Sequence, residues 1–349
     1  MERHPIPTLS PAAEPQIRLS PKPFRKSRHF GAFLICCALF VAGFALTALW
    51  QNANGFFLPN GEDIAISTPN DAPPLATLPS EPPTREEIVI PEGATPIVSY
   101  DLAHIGQGIG HLNNETFYKP NVNELLERDV TSAATQEPLV LVLHTHTSEG
   151  YLSHTAPYLE GDLGKITYTK NEEQNMLAIG KAFIAALHKN GITAIHCTVM
   201  HDASGLAGSY ERAAQSIQFF REHYPSIRYV VDLHRDAILT TEGEYVRAVT
   251  EIDGQNVAQI LPVIGSNAGG WAHDGWEGNL ALALQMRQAL NQNDTSLCRP
   301  VMLRNNTYNQ EMAPFAILLE IGTGANSIDE AVAAATLAGE AFARVILSH

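Results

Sequence analysis

The sequence predicts an α/β fold, a doubly wound and mostly parallel sheet with helices on both faces, preceded by one transmembrane helix. Short apolar runs such as 139–143 (LVLVL) and 227–233 (IRYVVDL) are typical of strands buried on both faces of a parallel sheet. Segments with helical periodicity separate these runs, and alternating strands and helices indicate an α/β sheet. An uncharged stretch of 21 residues near the N-terminus predicts the membrane segment.

The N-terminal part of the chain divides into three segments. Residues 1–29 form a basic stub, 30–50 the uncharged stretch and 51–95 a Pro-rich linker. A helix needs about 20 apolar residues to cross a bilayer core, and basic flanks stay in the cytoplasm. A cleaved signal peptide is the alternative, but its apolar region spans only about 7–15 residues and ends at a small-residue site. We therefore expect a single-pass cell-membrane protein with a cytoplasmic N-terminus and an extracytoplasmic catalytic domain.

Beyond the linker, the sequence predicts an N-terminal extension at 96–136, whose order it leaves open, and a catalytic α/β domain at 137–349. Within that domain, apolar patterns predict strands at 139–143, 192–199, 227–233, 245–252, 258–264, 301–305 and 315–322. Helical patterns are found at 172–188, 207–223 and 276–292, and in a final helix capped by Ser327.

Charge and cysteine content exclude some classes of function. Six Lys/Arg and two Asp/Glu give residues 1–29 a charge of +4, and because the whole chain carries −15, the rest carries −19. Nucleic-acid binding needs clustered cations, so no nucleic-acid partner is expected. Outside the uncharged stretch only Cys197 and Cys298 occur, which permit one disulfide but no disulfide framework. Two buried free thiols are the favoured interpretation.

Polar side chains that can bind metal lie at the C-terminal ends of three predicted strands, the edge where open α/β sheets bind their ligands. His144, His146 and Glu149 follow the strand at 139–143. If that strand continues, its period of two places both histidines on one face, and Glu149 can turn back toward them. Imidazole nitrogen and carboxylate oxygen are ligands of catalytic zinc sites. The alternative is a pair of buried histidines satisfied by hydrogen bonds.

The second group follows the strand at 227–233. His234 is the expected third metal ligand, and Asp232 could orient an imidazole ring by accepting its second N–H. Arg235 and Asp236 are expected either to form an ion pair or to bind a substrate carboxylate.

The third site is Glu320, inside the apolar strand at 315–322. A lone ionisable residue in such a strand is costly unless it is paired or functional. Burial raises the pKa of a carboxyl toward the range that a general base needs. The alternative is a structural glutamate bound to the backbone or to an arginine.

Together these groups predict amide hydrolysis by a metal ion that polarises a carbonyl and activates water. Glu172 and Glu173 are alternative acidic ligands in place of Glu149, although acids at a helix start also interact favourably with the helix dipole. The predicted Zn2+ site consists of the ligands His146, Glu149 and His234, with His144 as an alternative or supporting residue, the general base Glu320, and the supporting or substrate-binding residues Asp232, Arg235 and Asp236.

Five segments, in this order, resemble the stage II sporulation protein P family. The resemblance covers roughly residues 137–349. The segments are 144–151 (HTHTSEGY), 175–180 (NMLAIG), 232–237 (DLHRDA), 308–322 (YNQEMAPFAILLEIG) and 326–331 (NSIDEA).

The resemblance implies an amidase-like fold and activity. The family is similar to zinc-dependent N-acetylmuramoyl-L-alanine amidases, which implies cleavage of the muramoyl–L-alanine amide and of peptide cross-links in septal peptidoglycan during spore engulfment. It also implies two partners, a sporulation lytic transglycosylase and a membrane scaffold protein. The resemblance maps the first motif onto His144, His146 and Glu149, the second onto His234, and the catalytic glutamate onto Glu320. We prefer His146 as the first ligand because it lies nearer the loop and Glu149.

Two other functions remain open at this point. A zinc carboxypeptidase-like enzyme or another amidohydrolase would share the same residues but act on a different amide. A catalytically inactive wall-binding scaffold would keep the fold without the chemistry.

Overall fold

The structure is a computed structural model that describes residues 89–103, 112–292 and 296–347. The expected basic stub, the transmembrane segment at 30–50 and most of the linker lie outside these residues. No helix in the described part of the chain is both long and apolar enough to span a membrane.

The described residues form two sheets and six α-helices. The strands are β1 (Ala94–Tyr100), β2 (Leu112–Asn114), β3 (Val140–Leu143), β4 (Tyr158–Glu160), β5 (Ala194–His196), β6 (Tyr229–Asp236), β7 (Tyr245–Ile252), β8 (Gln255–Ala258), β9 (Ile260–Gly265), β10 (Val301–Arg304) and β11 (Phe315–Thr323). The helices are α1 (Val122–Leu126), α2 (Leu163–Ile166), α3 (Met176–Lys189), α4 (Ser209–His223), α5 (Trp276–Leu290) and α6 (Ile328–Ile346).

The main sheet has the order β2-β10-β9-β11-β6-β3-β5. Its neighbouring strands are parallel except at the β9–β11 junction, where they are antiparallel. The prediction of a mixed α/β fold is thus confirmed. Because β3, β6 and β11 run in the same direction, their carboxyl ends meet at one edge. A second sheet has the order β4-β1-β7-β8.

Helices cover both faces of the main sheet, as alternation along β3 shows. Val140 and Val142 belong to the larger core, with buried side chains of α3, α5 and α6. Leu141 and Leu143 point to the other face and pack with Ala213 of α4. Each large apolar side chain that is fully enclosed in this way contributes roughly 1.5–3 kcal/mol to stability.

Two helix starts are set by side-chain caps. α3 begins at Met176, four residues later than predicted, because the Asn175 side chain accepts a hydrogen bond from Leu177 N at 2.9 Å and ends the preceding turn. The predicted Ser327 cap of α6 is present as a capping box with Glu330. Arg247 of β7 also donates to Glu330, at 3.0 Å, and so ties the second sheet to α6.

The described parts of the segment at 96–136 belong to the folded domain. β1, which begins just inside the expected linker, pairs with β4 and β7. β2 is the edge strand beside β10. Leu125 of α1 is buried in the larger core. Cys197 and Cys298 are buried free thiols.

Candidate metal centre and active site

Three predicted ligands come together where β3 and β6 end. Nδ1 of His146 lies 3.5 Å from Glu149 Oε1, and Nδ1 of His234 lies 3.3 Å from Glu149 Oε2. The ligand atoms of the three residues all lie within 4.8 Å of one another. Glu149 reaches this position through a tight turn, in which its backbone N–H donates to His146 O at 3.0 Å.

His144 lies elsewhere. If the strand had continued, its two-residue repeat would have placed His144 on the same face as His146. Instead β3 ends at Leu143 and the chain turns, so the two rings separate. His144 is buried on the α3 face, with Nδ1 3.2 Å from Leu233 O and Nε2 2.9 Å from His196 Nε2. A Cβ on Gly180 would lie 2.6 Å from His144 Nε2, so glycine is needed for this close approach.

Opposite charges compensate for the burial of Glu149. Burial alone would raise its pKa, but hydrogen bonds from His146 and His234, together with the positive charges of His234 and Arg235, hold that pKa well below its usual value. Glu149 is therefore an ionised carboxylate between two imidazoles. This is the charge that a cation site requires.

Asp232 orients His234 from the opposite side of the ring. Its Oδ1 lies 3.0 Å from His234 Nε2. The backbone N–H and the hydroxyl of Thr145 donate to the same carboxylate at 2.9 and 2.6 Å. The contact between Asp232 and His234 is an ion pair without good hydrogen-bond geometry, and it leaves Nδ1 on the side of Glu149, as outer carboxylates do with histidine ligands. Burial lowers the pKa of His234, but Asp232 and Glu149 outweigh it, so the pKa is well above its ordinary value.

Glu320 stands next to His234 in the sheet. The two residues are paired in the register of β11 and β6, so both side chains lie on the α4 face. Glu320 Oε2 is enclosed and has no hydrogen-bond partner among the described residues. Burial, and then the negative charge of Asp236, raise the pKa of Glu320 to about 8. An unpartnered carboxyl is costly, which favours a functional role.

Arg235 and Asp236 do not pair with each other through their side chains, because strand alternation sends them to opposite faces. The Arg235 guanidinium donates to Thr167 Oγ1 at 3.2 Å and lies over the ring of Tyr168, 5.3 Å from its centroid. Asp236 instead forms an ion pair with Arg299 at 2.8 Å. Arg235 therefore supports the loop around Glu149, while its backbone N–H donates to that carboxylate at 3.3 Å.

Sequence reasoning missed two residues that hold the turn at 144–149. Asp202 accepts hydrogen bonds from the backbone and hydroxyl of Ser148, both at 3.0 Å. His201 Nδ1 lies 2.7 Å from His144 O. Neither has a local signal, because both lie in an irregular loop after β5. The alternative ligands Glu172 and Glu173 are exposed and lie outside the ligand group.

Comparison with known proteins places the chain in a family. A model of the stage II sporulation protein P family matches residues 106–346, which are 241 of the 349 residues. The chain belongs to this family. The stage II sporulation protein P of Bacillus subtilis strain 168 is 24% identical over 218 residues, 59% of this chain and 51% of the relative. The chain thus spans about half the length of that relative.

Several solved structures are similar to the chain at low identity. One is the N-acetylmuramoyl-L-alanine amidase AmiC2 of Nostoc punctiforme, with 19% identity and a TM-score of 0.32, covering 60% of this chain and 94% of that one. The N-acetylmuramoyl-L-alanine amidase from Clostridium difficile 630 has 17% identity and a TM-score of 0.35, covering 60% and 95%. The CwlD amidase of Clostridioides difficile, in complex with the GerS lipoprotein, has 13% identity and a TM-score of 0.36, covering 59% and 98%.

The ligand group of this family member fits zinc. Catalytic zinc sites use three protein ligands, from histidine and carboxylate side chains, and leave a fourth position for water. Ligand atoms about 2.1 Å from a tetrahedral ion lie about 3.4 Å apart. The two histidine nitrogens lie 3.5 and 3.3 Å from different oxygens of Glu149, and the three ligand atoms lie within 4.8 Å of one another, which is the scale of such a site. In the described part of the chain, such a three-residue group occurs once.

Proposed function

We propose that this chain is a zinc-dependent hydrolase that cleaves the amide between N-acetylmuramic acid and L-alanine in peptidoglycan. The observation that carries the proposal is the group of His146, Glu149 and His234, buried except for the partly exposed His146, with the unpartnered Glu320 beside His234 in register. Membership in the stage II sporulation protein P family supports the wall substrate.

The residues divide the chemistry between binding and proton transfer. Zinc held by His146, Glu149 and His234 would supply a Lewis acid for the scissile carbonyl and for the attacking water. Asp232 keeps Nδ1 of His234 facing the centre. Glu320 accepts the proton of the attacking water and returns it to the nitrogen of L-alanine as the carbon–nitrogen bond breaks. A carboxyl whose pKa lies near neutrality can both take and return a proton.

The proposal extends to place and partners. We propose that the uncharged stretch at 30–50 anchors the chain in the cell membrane and that the linker at 51–95 carries the acidic domain to the septal wall during spore engulfment. A negative domain is repelled by anionic lipid, which favours action away from the membrane surface. A sporulation lytic transglycosylase and a membrane scaffold protein are the proposed partners, and peptide cross-links are the proposed second substrate.

The test is hydrolysis of purified peptidoglycan by the detergent-solubilised full chain, with products identified by mass spectrometry. We expect new L-alanine N-termini, inhibition by a zinc chelator and recovery on adding Zn2+. Glu320→Gln should retain zinc but lower kcat by about 10²–10⁴. His154→Gln, an exposed histidine outside the ligand group, is the matched control.

Other outcomes would select the alternatives. Release of C-terminal amino acids without new L-alanine N-termini would identify a carboxypeptidase-like enzyme. Wall binding without cleavage, with no zinc in the purified protein, would identify an inactive scaffold.

A further inference from the structure

A tyrosine lies over the candidate active site. Tyr210, the second residue of α4, contacts His146 edge to face, with ring centroids 5.7 Å apart and an interplanar angle of 80°. On its other side it meets Tyr308, with centroids 6.2 Å apart. Tyr210 therefore lines the space above the metal ligands on the same face of the sheet as Glu320.

The backbone of Tyr210 is held by a loop of unusual conformation. Asn309 Nδ2 donates to Tyr210 O at 2.9 Å. Both Tyr308 and Asn309 have left-handed φ values, 55° and 58°, which residues other than glycine adopt uncommonly. Such strain costs about 1–3 kcal/mol and tends to persist where function requires a fixed geometry.

The start of α4 is fixed from the other side as well. Gly208 has a φ of 77° at the helix N-cap. The Arg212 guanidinium donates to the carbonyl oxygens of Gly205, at 2.7 Å, and His201. The Tyr210 backbone is therefore held by Asn309, and the first turn of the helix that carries it is held by Arg212.

The Tyr210 side chain is only partly buried, and no hydrogen bond from its hydroxyl to another described residue is found. A phenol hydroxyl is neutral at physiological pH and can donate a hydrogen bond, whereas ionised carboxylates only accept. A donor without a partner in a half-buried position is available for a ligand.

We propose that the Tyr210 hydroxyl donates a hydrogen bond to the carbonyl oxygen of the scissile amide. Negative charge develops on that oxygen when water adds to the carbonyl carbon, and a donor held in place stabilises it. The left-handed loop at Tyr308 and Asn309 sets the position of the donor through the Tyr210 carbonyl. This assignment rests on the proposed amide hydrolysis.

The test is Tyr210→Phe in the full chain. We expect kcat to fall by about 10²–10³ with little change in KM, because one donor to a developing oxyanion is lost. The second readout is binding, measured by calorimetry, of an N-acetylmuramoyl peptide in which a phosphinate replaces the scissile amide. Its affinity should fall by a similar factor, while zinc content and melting temperature stay at wild-type values. Tyr224→Phe, at the far end of α4, is the matched control.

A second variant keeps the proposal testable if Tyr210→Phe fails to fold. In Asn309→Gly, glycine can adopt the left-handed backbone, but the side-chain hydrogen bond to the Tyr210 carbonyl is lost. We expect kcat to fall about five-fold, as for one lost hydrogen bond. Wild-type kcat and phosphinate affinity in both variants would overturn the proposal for Tyr210. A wild-type chain that leaves the muramoyl–alanine amide uncut would instead overturn the proposed function.

Discussion

Two pairs of histidines lie on opposite faces of the main sheet with nearly the same ring geometry. The rings of His144 and His196 are 5.1 Å apart with an interplanar angle of 86°. Those of His146 and His234 are also 5.1 Å apart, at 80°. The pairs nevertheless have different electrostatic surroundings.

The difference comes from the groups around each pair. His144 and His196 pack against Gly180, and burial lowers the pKa of both, that of His196 to about 4. His146 and His234 share the Glu149 carboxylate. Asp232 adds a second carboxylate beside His234. Two neighbouring imidazoles therefore form a neutral core contact where no carboxylate adjoins them, and a candidate cation site where Glu149 and Asp232 do.

The largest effect is expected from removing the carboxylate that the second pair shares. Glu149→Gln removes the charge between His146 and His234 while keeping the size of the side chain. We expect zinc content after dialysis to fall from about one ion per chain to near zero, because anionic and imidazole ligands together hold catalytic zinc. His196→Gln, in the other pair, should keep its zinc. Elemental analysis measures both, and equal zinc in the two variants would contradict the assignment of the ligands.

Asp232→Asn tests how the second pair is oriented. Asparagine can accept the His234 N–H but carries no charge, so the ring loses its ionic partner. Loss of an outer partner of a histidine ligand typically costs 10–100-fold in metal affinity, and we expect a loss in this range. Competition with a chelating dye measures it. An unchanged zinc affinity would show that the charge of Asp232 is not needed to orient the ring.

Gly180→Ala tests the packing of the first pair. The new Cβ would lie 2.6 Å from His144 Nε2, and overpacking of this kind costs about 1–3 kcal/mol in free energy of unfolding. The matched control is Gly278→Ala in α5, whose Cβ would meet Phe315 at an ordinary 3.6 Å. There the better helix propensity of alanine should give about 1 kcal/mol of stabilisation. Urea unfolding of both variants measures the difference, and equal effects would refute the close-packing argument.

The sequence predicts much of this fold because burial has a local signature. The apolar runs of β3, β6 and β11 and the Ser327 cap appear in the structure close to their predicted bounds. The strands β1, β2 and β4 escape prediction because they are held by pairing with distant strands and carry little apolar pattern.

The site is predictable in composition but not in arrangement. The approach of His146, Glu149 and His234 follows from two strand ends, those of β3 and β6, at one edge. The separation of His144 from His146 depends on the turn after Leu143, which Asp202 holds from more than 50 residues away. Tyr210 depends on contacts of the same kind, which no local pattern encodes.

The smallest expected effect concerns pH and the first pair. The pKa of His196 is about 4 in the folded protein against 6.5 ordinarily, so between these values the unfolded chain binds a proton that the folded protein does not. The contribution of His196 to the free energy of unfolding is therefore fully present above about pH 6.5 and is lost as the pH falls toward 4. His196→Gln removes this contribution, so its free energy of unfolding should decline less steeply than that of the wild type over this range. Both proteins keep His234 and Glu149, so the titration of those residues cancels when the two free energies of unfolding are subtracted. Urea unfolding of the zinc-free proteins at several pH values measures both free energies. An equal or steeper decline in the variant would show that burial does not hold the pKa of His196 below its ordinary value.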